Sequence, residues 1–265
     1  MAHSHKTIVV STSWDDGDRS DLRLAEILSA NGVAGTFYIP IEPFRAGREL
    51  GAQQITDLVT GGFEIGGHTV SHRSLTALPP EVQAREVTDC KRILEDRLGS
   101  EVQSFCYPNG RLNQTTVRCV AQAGYQNARS TRLLRTSLQF PRFEMPTTLQ
   151  AYPHRAPAYL RNTVKGKNLA GLADYALRLR HARNWVDLGK TLFDRVLQDG
   201  GFWHLYGHSW ELQDLDLWSQ LEDLLAYVAR RPDVHYLTNA GVYRALSLET
   251  APGAVGVGYE NPARS

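Results

Sequence analysis

Three short runs of ionisable residues carry the chemistry that this sequence can support: Ser13-Trp14-Asp15-Asp16-Gly17, Gly67-His68-Thr69-Val70-Ser71-His72 and His204-Leu205-Tyr206-Gly207-His208. Together they contain the parts of a metal triad, a general base and a general acid. Adjacent residues at the end of an extended run point to opposite sides of the backbone, so one carboxylate of the Asp15-Asp16 pair can bind a cation while the other faces a substrate. His68 and His72 are four apart, a spacing that suits two ligands on one helical turn or on a tight loop. His204 and His208 repeat that spacing, and aspartates at strand ends also cap helices, so neither pair settles a metal site by itself. Two imidazoles and a carboxylate converging from separate loops would give a facial site with open coordination positions.

Those loops must be held by a scaffold, and the chain reads as alternating strands and helices. Residues 7–12 read as a strand, Ser20 to Ala30 as a helix stopped by Asn31-Gly32, and Thr36 to Ile39 as a second strand ended by Pro40. Gln54 to Thr60 (helix), Phe63 to Gly66 (strand), Glu81 to Leu98 (helix), Ser104 to Tyr107 (strand), Val117 to Ala123 (helix) and Tyr125 to Ala128 (strand) continue the pattern. Residues 130–165, rich in Pro and Arg, read as a long loop or insertion near the site. Leu188 to Leu197 (helix), Phe202 to Tyr206 (strand), Leu215 to Arg230 (helix) and Val234 to Leu237 (strand) complete it. This order implies parallel strands with helices outside, an α/β barrel or doubly wound sheet, with residues 1–250 forming a single domain and 251–265 a poorly ordered tail. The polar motifs follow strands, which is where such barrels place their chemistry.

Lys+Arg number 29 and Asp+Glu 28, a net charge of +1, which removes the electrostatic case for a nucleic-acid partner. No run is apolar enough for a membrane span or a leader, and we expect a cytoplasmic protein. The 3 cysteines are too few and too irregularly spaced for a disulfide framework or a thiolate zinc site.

Ser-Trp-Asp-Asp-Gly resembles the first motif of the polysaccharide deacetylases (NodB-homology, carbohydrate esterase family 4), and Gly67 to His72 is similar to their H-[ST]-x-x-H motif. Gly35-Thr36-Phe37-Tyr38 and Phe105 to Gly110 also resemble family segments. The resemblance is densest from about residue 7 to 130 and thinner to 240. It implies a distorted (β/α)7-type barrel in which Asp16, His68 and His72 hold a divalent metal, commonly Zn2+, with Co2+, Ni2+, Mn2+ or Fe2+ as alternatives. It further implies Asp15 as base, Tyr107 and Pro108 as supports of the substrate through the third motif (a backbone N–H near Tyr107 serving the carbonyl oxygen), and a late histidine as acid. His208 fits that last role best, with His204 a core histidine or an orienter of other groups. Trp210 and Glu211 stand where a sugar could be walled. Cys106 occupies the position of the family's motif arginine, and Arg129 is the residue expected to supply the missing charge. The implied activity is removal of an N-acetyl group from an amino sugar or a related small acetamide. A cyclic-amide hydrolase of the allantoinase type and an inactive family member are the alternatives.

Overall fold

The computed structural model describes residues 6–165, 168, 171 and 182–249. Eight strands alternate with helices: β1 (Ile8–Asp15), β2 (Gly35–Ile39), β3 (Glu64–Gly67), β4 (Ser104–Cys106), β5 (Asn127–Arg129), β6 (Leu149–Gln150), β7 (Gly201–Gly207) and β8 (Val234–Tyr236). All pairings are parallel, in the order β5-β4-β3-β2-β1-β7-β6, with β8 beside β1. Parallel neighbours need crossover connections, and helices at Asp21–Asn31, Ala52–Thr60, Pro80–Leu98 and Gln114–Gln122 supply them. The outer strands approach each other through one stretch of chain. Met145 N–H donates to the Ala128 carbonyl at 2.9 Å and Ser130 N–H to that of Met145 at 2.8 Å, while Thr148 N–H donates to His204 at 2.9 Å and Ala151 N–H to Tyr206 at 2.8 Å. The segment 145–151 thus stitches β5 to β7, and the sheet curls into a distorted (β/α) barrel.

β1 explains why the site sits where it does. All eight of its residues are buried, and successive side chains alternate between faces. Ile8, Val10 and Trp14 face the helices and join the main apolar core. Val9 packs with Met145, Phe202 and Val242 at the bottom of the barrel. Above it, Ser11 donates to Asn239 at 2.6 Å, Ser13 lies 2.8 Å from His204 Nε2, and Asp15 meets Arg129. The barrel interior therefore changes from apolar at the base to polar at the mouth, and the last inward position of β1 is a carboxylate.

Several boundaries differ from those read in the sequence. β1 runs to Asp15 rather than stopping at residue 12, because Ser13 and Asp15 line a polar interior while Trp14 between them joins the apolar core. β5 is Asn127–Arg129, which makes Arg129 a strand residue in register with Cys106 of β4. The stretch 130–165 is not a plain loop: it contributes β6 and a helix, Ala156–Lys165. The helix read over 215–230 is shorter, Trp218–Val228, and the helices Ser209–Asp214 and Asn239–Glu249 went unread. The tail from residue 251 lies outside the described residues.

Candidate metal centre and active site

The sharp turn after β1 places the two aspartates on different sides. Asp15 ends the strand and points inward, whereas Asp16 takes φ 84°, a left-handed backbone that costs a non-glycine residue roughly 1 kcal/mol or more. His72 (φ 54°) and Thr69 (φ 69°) are held in the same region. The His68–His72 loop is kept in that shape by Glu86 of the helix Pro80–Leu98, whose carboxylate accepts from the N–H groups of Val70 and Ser71, each at 2.9 Å, and from the Ser71 hydroxyl at 2.5 Å. Gly66 and Gly67 deliver the loop. A Cβ on Gly66 would stand 2.4 Å from the Tyr38 ring, and one on Gly67 would stand 2.1 Å from the Tyr125 hydroxyl.

Asp16, His68 and His72 converge. Asp16 Oδ1 lies 3.1 Å from His72 Nε2 and 3.7 Å from His68 Nε2. That oxygen is buried and receives no hydrogen bond. A buried carboxylate oxygen without a donor, facing two imidazole nitrogens, fits a cation held among the three. Asp16 Oδ2 accepts from Trp210 Nε1 at 2.9 Å. His68 Nδ1 is 2.9 Å from the Cys106 carbonyl; a carbonyl can only accept, so Nδ1 carries the proton and Nε2 keeps its lone pair for a metal. Burial pulls His68 down to about 4, against the opposing charge of Asp15, which keeps this imidazole neutral as ligation requires. Burial alone would raise the Asp16 carboxyl, but the His72 contact and the neighbouring imidazoles hold it below the usual carboxylate range.

Asp15 is held on its other side. Arg129, fully buried, donates to Asp15 Oδ1 and lies 2.9 Å from the Cys106 sulfur. Its guanidinium lies 5.3 Å from the centre of the Tyr38 ring and 4.8 Å from that of Tyr206. Burial opposes ionisation of Asp15, yet Arg129, with His68 and His208, keeps its pKa below the ordinary value. The strand register explains how: Cys106 and Arg129 are cross-strand neighbours. Burial pushes the Cys106 thiol well above its ordinary pKa, and Sγ sits 3.7 Å from Asp15 Oδ2 as a small packed group rather than a nucleophile.

His208 caps the helix Ser209–Asp214, with Nε2 3.8 Å from Asp16 Oδ2 and Nδ1 2.7 Å from Glu211. Burial would lower it, but Glu211 and the two aspartates push it up to about 9. His204 stays in the core on Ser13, its pKa driven well down by burial and by Arg129.

Tyr107, Pro108 and Trp210 are held by partners of their own. The Tyr107 N–H is directed at the Arg129 carbonyl, 3.4 Å away, its hydroxyl donates to Phe143 at 3.1 Å, and Pro108 is buried beside it. Neither residue lines the cavity at the barrel mouth, where the following Asn109 and Gly110 do. Trp210 is tied to Asp16 besides standing 6.2 Å from Phe44, a half-exposed ring 4.4 Å from His72. Phe44, Glu86 and Gln150 were not singled out in the sequence. Glu86 lies on the strongest helix but carries no motif, whereas Glu211, three residues after His208, had a readable spacing.

The polysaccharide deacetylase family model matches residues 2–128. YxkH of Bacillus subtilis (strain 168), named as a candidate polysaccharide deacetylase, is 26% identical over 124 residues, 46% of this chain and 44% of YxkH. The chain thus aligns with less than half the length of the curated relatives it matches. Among solved structures, a candidate polysaccharide deacetylase from Mycobacterium smegmatis superimposes with a TM-score of 0.68 at 17% identity, covering 98% of this chain and 97% of the other. BA3943 of Bacillus anthracis, a CE4 family pseudoenzyme, gives 0.51 at 15% identity over 91% of this chain and 66% of its own. Both show the same barrel, and residues 2–128, which carry the Asp15-Asp16 and His68-His72 motifs, match the polysaccharide deacetylase family model.

Proposed function

We propose that this protein is a metal-dependent hydrolase that removes the acetyl group from an N-acetylated amino sugar or related acetamide, with residues 1–250 acting as one catalytic domain. The observation that carries the reading is the division of labour between the adjacent aspartates: Asp16 Oδ1 is buried without a donor between two imidazoles, while Asp15 is bound to Arg129. Asp16, His68 and His72 would hold the cation, and zinc suits a set of two imidazoles and one carboxylate. Such an ion supplies Lewis-acid polarisation of the amide carbonyl and a water of lowered pKa.

The chain's own residues do the rest. Arg129 occupies Oδ1 of Asp15 and leaves Oδ2 with only a thiol at 3.7 Å, so Oδ2 is the oxygen that takes a proton from the attacking water. His208, charged near neutrality and aligned by Glu211, gives a proton to the departing amine nitrogen. Trp210 and the Cys106 carbonyl fix the orientation of Asp16 and His68. The BA3943 pseudoenzyme shows that this fold also occurs without activity. Retention of a base, three ligands and a charged histidine in one mouth favours the active reading here. No helix among the described residues is long and apolar enough to cross a membrane, and three buried unpaired cysteines suit a reducing compartment, so we place the enzyme in the cytoplasm.

The test is acetate release from a panel of N-acetylated sugars combined with elemental analysis of the purified protein. Asp15→Asn should retain the metal and lose about 10²–10⁴-fold in kcat. His68→Ala should lose both metal and turnover. Equal metal loss in the two variants would overturn the roles given to the two aspartates.

A further inference from the structure

A cavity of about 400 Å³ opens at the C-terminal ends of β4, β5, β6 and β7. Two of its lining residues touch the partners of the catalytic groups. Tyr206, which lines it, lies under the guanidinium that binds Asp15. Gln150, which also lines it, accepts from the Tyr206 hydroxyl at 2.7 Å and approaches Glu211, the partner of His208, at 3.3 Å. A substrate whose acetamide lies between Asp15 and His208 therefore has this cavity as its neighbour.

The lining is unusual in charge. Arg111, Arg132 and Arg161 line the cavity, and among the described residues no carboxylate does. The chain as a whole carries a net charge of only +1, so the excess is local rather than a sample of a basic surface. Arg132 is neutralised by Glu144 at 2.5 Å. The guanidinium groups of Arg111 and Arg161 have no hydrogen bond, ion pair or ring contact among the described residues. They come from separate places, the turn after β4 and the helix Ala156–Lys165, so the fold and not a local run of sequence brings them to one cavity. Asn162 beside them is a structural tie, donating to the Thr131 carbonyl at 3.0 Å and accepting from the Leu133 N–H at 2.9 Å. Two unpaired guanidinium forks on one concave wall match the oxygens of a phosphate or carboxylate far better than the hydroxyls of a neutral sugar.

We infer that the substrate of this site is an anionic N-acetyl sugar whose phosphate or carboxylate group is held by Arg111 and Arg161. The inference rests on the deacetylase reading for the position of the acetamide, and deepens it by naming the charge of the remainder.

The experiment compares kcat/KM for acetate release from N-acetylglucosamine, N-acetylglucosamine 6-phosphate and N-acetylmuramic acid, in the natural protein and in the R111Q/R161Q double variant. The anionic sugars should be preferred by about tenfold or more, through KM, and the preference should shrink to within about threefold in the double variant and in high salt. Preference for the phosphate alone or for the carboxylate alone supports the inference and identifies the source of the anion. Equal values for all three sugars, or a preference untouched by the double variant and by salt, overturns it. If none of the three releases acetate, the deacetylase reading fails on these sugars, and calorimetric titration separates the two ideas: tenfold tighter binding of the 6-phosphate than of N-acetylglucosamine, lost in the double variant, upholds the anion site, and any other result removes it.

Discussion

Replacing Arg129 with methionine removes the cation on which Asp15 rests while keeping a side chain of comparable length. Both partners are buried, Arg129 at 0% and Asp15 at 4% relative exposure, so water cannot take over the lost interaction. Breaking a buried pair from one side leaves an uncompensated charge and costs about 3–5 kcal/mol. Urea denaturation at pH 7, followed by tryptophan fluorescence, should show that loss for R129M. D15N, which leaves the guanidinium unpaired, should cost a similar amount. In the double variant neither charge remains, so the two losses should not add, and the coupling should be on the order of 3 kcal/mol. The pH dependence has a definite sign. In the natural protein Asp15 has a lowered folded pKa, so its contribution is present above the unfolded value and lost as pH falls. In R129M burial is no longer opposed by the arginine and the folded pKa rises. The penalty is then largest at neutral pH and shrinks toward pH 4, as the variant's Asp15 takes up a proton. A cost below about 1 kcal/mol for R129M, or strictly additive losses in the double variant, would refute the claim that Arg129 has taken over the charge absent from Cys106.

Four further outcomes follow from the same geometry. Glu211→Gln removes the hydrogen bond that raises His208, so the alkaline limb of kcat/KM should move to lower pH with little change in bound metal by elemental analysis. Asp21, at the first turn of the helix Asp21–Asn31, is fully buried with both carboxylate oxygens lacking a donor, and burial raises its pKa well above the ordinary value. Its ionised form therefore weakens the fold above that raised pKa, and D21N should stabilise the protein by about 1–2 kcal/mol at pH 8 and by less at pH 4, after allowing for the lost helix-dipole interaction, as read from urea midpoints. Gly67→Ala forces a Cβ against the Tyr125 hydroxyl and should cost about 1–3 kcal/mol in denaturation and displace His68, seen as a lower metal content. Glu86→Gln keeps the shape but weakens three hydrogen bonds to the His68–His72 loop, and should lower metal affinity about 10–100-fold by competition with a chelator.

The parts of the site legible in the sequence were those set by local spacing. Asp15-Asp16 and His68-x-x-x-His72 each lie on one turn of chain, so their chemistry could be read before the fold was known. Arg129 was reachable because an arginine just past a predicted strand is a local feature, although its place within β5 was not read. The polar face of β1 hid the strand's true end: Ser13 and Asp15 look like loop residues unless a polar barrel interior is already assumed. Gln150 and the cavity arginines gain meaning only from pairings across the barrel, such as β6 on β7. The helix Ala156–Lys165 lay in a stretch whose prolines and arginines broke the apolar period, and Asn239–Glu249 was passed over at the end of the pattern.

β1 changes partners along its length. Ile8 to Val10 lie between β7 and β8, whereas Thr12 to Trp14 lie between β7 and β2. The half of the chain that carries the family motifs is consequently not a module that can be cut free or grafted. A fragment ending near residue 128 would leave its central strand with one flank bare from end to end and the other bare at its foot, a template for aggregation rather than a minimal enzyme. Splitting this protein for complementation should succeed only when the piece supplying Gly201–Gly207 is present as the first piece folds.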